Sequence, residues 1–182
     1  MRKGKEHMDN YGIGSTFRIV HDFLVSSPLD TRNKIDILIE FAICEAEAVL
    51  ALEQEAGREP DACVWTAVQM ARASLCGEVS QNVITSNNGN TLHGLQIASF
   101  CDEHCVYFAI NAVYNAEKAA SYKDGEKAEK SAVRYAVNSL VAASCYSYSA
   151  NLGVVTAKSG KHAQNMAMDK QRANLRALLK IE

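Results

Sequence analysis

Along most of this chain the apolar residues recur at spacings of three and four rather than two, the repeat of helices that each bury one face. The strongest run lies between Asp30 and Ala56. There Ile35, Leu38, Ile39, Ala42, Ala46, Val49 and Leu50 mark a helical stripe, and Ile37, Phe41, Ile43, Ala48 and Leu52 widen it. A helix apolar over so much of its circumference must be covered on several sides, so the pattern predicts it at the centre of the fold. Asp30 has the side chain to cap its first turn, and Gly57 the freedom to adopt the left-handed conformation that ends it.

The remaining elements follow from the same spacing. Residues 1–14 carry no apolar period and read as a disordered tail ahead of a single domain spanning 15–182. Ser15 is placed to cap a short helix with Phe17, Val20, Phe23 and Leu24 inward, ended by Ser26-Ser27-Pro28. Pro60 is expected in the first turn of the helix after Gly57, with Val64, Trp65, Val68, Met70, Ala71 and Leu75 facing inward until Gly77. Ser86-Asn87-Asn88-Gly89-Asn90 reads as the clearest loop, because Asn and Gly tolerate positive φ. A long helix is then predicted from Thr91 to about Tyr122. Its stripe of mostly small side chains, Leu95, Ala98, Cys101, Cys105, Phe108, Ala112, Ala116 and Ala119, permits close helix approach. Lys123-Asp124-Gly125 separates it from a helix reaching about Leu152, with Ala128, Ala132, Tyr135, Ser139, Ala143, Tyr146 and Ala150 on one face. A last helix is expected over His162 to Lys180.

Composition narrows the fold class to all-α. The chain of 182 residues holds only 2 prolines and 7% aromatics, and no Val/Ile/Thr alternation persists. No 34- or 40-residue repeat is visible, so the expectation is a closed bundle of about five to six helices rather than a solenoid. No run approaches the ~20 apolar residues that span a bilayer, and the charged start lacks an apolar core for secretion. The expected location is the cytoplasm, with Cys44, Cys63, Cys76, Cys101, Cys105 and Cys145 as reduced core thiols.

Charge adds an asymmetry. The net charge of −2 argues against a general nucleic-acid binder. Asp36 to Glu78 nevertheless holds nine acidic residues against Arg58 and Arg72, and Lys118 to Glu182 holds eleven Lys/Arg against five acids. Either the two halves compensate each other within the fold, or their faces recruit a protein partner or a second protomer.

Little chemistry competes with that reading. Cys101, His104 and Cys105 share a helical face, but a closed zinc site needs a second ligand pair, and none is present. Di-iron bundles need Glu-x-x-His, which does not occur, so Glu40, Glu45, Glu47, Glu53 and Glu55 read more simply as a solvated face. No nucleophile elbow, P-loop or dinucleotide-binding glycine pattern appears, and the expectation is a non-enzyme without cofactor or metal.

A Cys-x-Ala motif at Cys44 lies inside the acidic helix and is followed by Pro60-Asp61, Ala67, Ala71-Arg72 and Gly77-Glu78. This pattern resembles the Imm-5-like all-α immunity proteins of bacterial polymorphic toxin systems. Gln171-Arg172 to Leu178-Leu179 is loosely similar to their last helix. Where those proteins carry Arg-Pro after the aspartate, this chain has Ala62-Cys63-Val64-Trp65. The resemblance implies stoichiometric binding that covers a toxin's active cleft. On the charge pattern, the partner-binding surface is expected at Glu45, Glu53, Glu55, Glu59 and Asp61, facing a basic protein. The alternative is a helical bundle that binds a small apolar ligand or acts as a regulatory module.

Overall fold

The computed structural model describes Val20, residues 27–98, 104–122 and 127–152, and Asn165, Met166, Asp169, Lys170, Ala173, Arg176 and Ala177. Five helices organise these residues: α1 (Thr31–Glu55), α2 (Ala62–Leu75), α3 (Gln81–Ala98), α4 (His104–Ser121) and α5 (Ala128–Leu152). No strand occurs among the described residues, and the fold is an all-α helical bundle. The expected tail at 1–14 lies outside them. So does the expected helix from Ser15, except for Val20, which is helical and buried.

The ends of α1 and α2 are built as their sequences dictate. The Asp30 carboxylate accepts from the Asn33 N–H at 2.9 Å, which satisfies a first-turn donor with no intrahelical partner. At the other end Gly57 takes φ +76°, its N–H donates to the Gln54 carbonyl, and the Arg58 N–H reaches back to the Glu53 carbonyl. That pair of bonds is a Schellman turn, and it needs the glycine because a Cβ strains this conformation. Gly77, at φ +79°, closes α2 in the same way, with Gly77 and Glu78 N–H groups donating to Ser74 and Ala73. Pro60 departs from its expected position. Asp61 caps α2 by accepting from the Cys63 N–H at 2.8 Å, so the proline precedes the cap instead of sitting in the first turn.

Two expected boundaries between 86 and 122 are corrected. Residues 86–90 form the middle of α3, not a loop. Their low helix propensity is overridden from outside, because Ile84, Asn88 and Thr91 fall on one buried face against the rest of the bundle. Thr85 and Ser86 turn their hydroxyls back onto the carbonyls of Gln81 and Asn82. Nor does one helix run from Thr91 to Tyr122. Gln81 donates to the Ser121 carbonyl and Asn87 to the Glu117 carboxylate, so α3 and α4 are separate helices packed antiparallel.

The core holds Ile35, Leu38, Ile39, Phe41, Ile43, Val49 and Leu50 of α1 against Val64 and Val68 of α2. Alanines of α4 and α5 close it: Ala109, Ala112, Ala116, Ala119 and Ala120 from one, Ala132, Ala136, Ala142 and Ala143 from the other. As its pattern required, α1 is covered on several sides, by α2, α4 and α5. The helix that touches all four others, however, is α4. Phe41 is fully buried, whereas Trp65 is only half-buried at the core's edge. Phe41→Ala should therefore cost about 3–5 kcal/mol in equilibrium unfolding, the range for a buried aromatic. A loss below about 1 kcal/mol would contradict its placement.

Candidate functional site

The Schellman turn that ends α1 also builds a buried polar cluster. With the Arg58 N–H bonded to the Glu53 carbonyl, the Arg58 side chain lies over the Glu53 carboxylate. Its Nε approaches both carboxylate oxygens at 3.1 and 3.0 Å, and its Nη2 reaches Oε1 at 2.6 Å. From α5 the Tyr146 hydroxyl donates to the same Oε1 at 2.6 Å, and Arg58 Nη2 lies 3.4 Å from the Tyr146 oxygen. Glu53 is only 3% exposed and Tyr146 2%. Burial and the neighbouring carboxylate push the Tyr146 phenol above its ordinary range, so it stays protonated as a donor. The carboxylate in turn holds the Arg58 guanidinium firmly charged.

A second cluster lies between α1 and α2. Glu40, Cys44 and Glu47 share a face of α1 at spacings of four and three. Arg72 meets Glu47 with a fork, Nε to Oε1 at 2.9 Å and Nη2 to Oε2 at 2.7 Å. Its Nη1 reaches Glu40 at 3.1 Å, and the Cys44 thiol points at the same Glu40 oxygen from 3.6 Å. Burial and then the charge of Glu40 raise the Cys44 thiol above its usual value, which makes it a poor nucleophile. The Cys63 thiol is likewise pushed up, to about 11, chiefly by burial.

The acidic surface expected from the sequence is only partly on the surface. Glu45 is 6% exposed and Glu53 is the centre of the first cluster, so neither forms part of an outward face. The apolar stripe on both sides of these positions carries them inward, a consequence of α1 being covered on several sides. Glu55, Glu59 and Asp61 are exposed as expected and stand together around the Gly57 turn. Glu59 accepts from Gln54 at 3.3 Å. The Cys63 N–H holds the Asp61 carboxyl below the usual carboxylate value, so it is ionised at neutral pH. The side chains of Cys101, His104 and Cys105 lie outside the described residues. Among those described, no group of three or more His, Cys, Asp or Glu could hold a metal ion, and no helix is long and apolar enough to cross a membrane.

No family model, curated protein or solved structure matches the chain. The site must therefore be read from its own geometry. Glu53, Glu40 and Glu47 are paired with arginines, whereas Glu55, Glu59 and Asp61 stand exposed.

Sequence reasoning missed Arg58 and Tyr146 as partners of Glu53. One signal was available: Gly57 as the helix-ending residue places position 58 over position 53. The contact with Tyr146, 93 positions away from Glu53, had no local signal. Removing the phenol oxygen by Tyr146→Phe should destabilise the fold by about 1.5–3 kcal/mol, the worth of a hydrogen bond to a charged group. In an Arg58→Met background the same change should cost a different amount, because both donors serve one oxygen. Strict additivity in chemical denaturation would show that the three groups do not act as one cluster.

Proposed function

We propose that the chain is a non-catalytic binder of a basic protein partner, which docks on the acidic turn between α1 and α2. The observation that carries this reading is the internal use of both cations in the acidic half. Between Asp36 and Glu78 the only basic residues are Arg58 and Arg72. Arg58 closes on Glu53, and Arg72 closes on Glu40 and Glu47. Glu55, Glu59 and Asp61 stay exposed, and no ion pair among the described residues neutralises them.

Such a turn suits electrostatic recognition. Exposed carboxylates on a backbone fixed by a Schellman turn and a helix cap present their charge without reordering, and complementary charge raises association rates. The resemblance to immunity proteins of toxin systems supplies the sharpest form of the partner, the cationic cleft of a toxin domain. Covering such a cleft requires no chemistry from the bundle.

Reversing the charge at Glu55, Glu59 and Asp61 to lysine tests the reading. The substitutions at 55 and 59 should each change stability by no more than about 0.5 kcal/mol, and that at 61 should cost about 0.5–2 kcal/mol because the cap is lost. Pull-down from the source cell's lysate should recover a basic protein with the wild type, more at low salt than at physiological salt, where screening acts over about 8 Å. The triple variant should recover much less of it. Equal recovery by both proteins at the same salt contradicts the assignment.

A further inference from the structure

The buried carboxylate of Glu117, on α4, belongs to neither cluster. It is 0% exposed, and its Oε1 accepts from Asn87 Nδ2 of α3 at 2.9 Å. Its Oε2 has no partner within hydrogen-bond geometry, and neither has the Oγ1 of Thr91, one turn along α3 from Asn87. The Thr91 hydroxyl is nevertheless near enough to act on the carboxyl. Asn88, also on the inner face of α3, is buried with both amide atoms unpartnered.

Among the described residues no cation forms an ion pair with this carboxylate. Lys118 follows it in sequence, but its ammonium lies over the rings of Tyr114 and Tyr122, at 5.5 and 6.0 Å from their centres. From α2 the titratable group facing it is the Cys63 thiol, and on α4 itself the Tyr114 phenol, both protonated at neutral pH. Among the described residues, the amide of Asn87 and the hydroxyl of Thr91 act on it from α3, and no group of α1 or α5 does. A lone charge at such a place is costly unless it is paired or neutralised.

The helix it holds is the one least able to hold itself. α3 contains Asn82, Asn87, Gly89, Asn90 and Gly94, all poor helix formers. Its apolar attachment is thin: Ile84 is buried and Leu95 partly so, while Val83 and Leu92 are exposed.

We propose that α3 is docked by a proton: Glu117 is a neutral acid in the packed bundle, and its ionisation releases α3 from α2 and α4. As a neutral acid, Glu117 avoids the cost of a lone buried charge whose only hydrogen-bond partner among the described residues is the Asn87 amide. Burial, the dominant influence, raises this carboxyl against the opposing pull of Asn87, Thr91 and Lys118. The folded state then binds the proton that the unfolded chain has already lost. Docking is complete below the ordinary carboxylate value and is lost as pH rises through the raised one.

Amide hydrogen exchange from pH 5 to 9, expressed as protection corrected for intrinsic rate, tests this. In the wild type, α3 protection relative to α1 should fall by up to about tenfold per pH unit above the ordinary carboxylate value, the slope for one proton, and level off above the raised one. Glu117→Gln keeps the shape and supplies a permanent donor, so its α3 should stay protected with no pH dependence. A flat wild-type profile overturns the proposal, whether or not the variant folds. So does an equal fall in both proteins, which would place the titrating group elsewhere.

Discussion

A single short hydroxyl marks the constraint on which the bundle depends. Ser139 of α5 lies 3.1 Å from the Ala42 carbonyl of α1 and 3.3 Å from the Ala112 carbonyl of α4, and it is fully buried. A serine touches the backbones of two neighbouring helices only when all three are close together. That approach is possible because the residues around it are small: Ala42 and Ala46 on α1, Ala109, Ala112 and Ala116 on α4, Ala136 and Ala143 on α5. Close approach then increases dispersion contacts along the whole length of three long helices.

The polar features inherit their geometry from that packing. Because α5 runs against α1, Tyr146 arrives at Glu53, and the Schellman turn at Gly57 delivers Arg58 to the same carboxylate. Capturing Arg58 leaves the turn's remaining charges acidic. The acidic surface at this turn is thus a by-product of how a buried carboxylate was neutralised. On the other flank, α4 packs α3 with a carboxylate that no cation among the described residues meets, so the two sides of the bundle treat buried acids in opposite ways.

Where sequence was sufficient, a local physical rule was decisive. The Asp30 cap, the Gly57 and Gly77 terminators and the inward face of α1 each follow from residues within a few positions of one another. The α3 segment failed because local propensity favours a loop over Ser86-Asn87-Asn88-Gly89-Asn90, and packing on α2 and α4 makes it helical. The site was half legible. Glu55, Glu59 and Asp61 stand where charge and turn residues placed them. Glu45 and Glu53 were read as solvated because carboxylates usually are, although their positions on a helix apolar nearly all round already argued for burial. Glu117 carried no signal at all, since its partner Asn87 lies in the segment read as a loop.

The central claim is that a seam of small side chains, and not a large aliphatic core alone, holds α1, α4 and α5 together. Equilibrium unfolding of Ala112→Leu tests it most directly. Ala112 is fully buried beside the Ser139 contact, so the added carbons have no space and must push α4 away from α5. A loss of about 1–3 kcal/mol is expected, despite the gain in apolar surface and in helix-forming side chain volume. Unchanged or increased stability would mean that the seam has room to spare, and the account of this fold would be wrong.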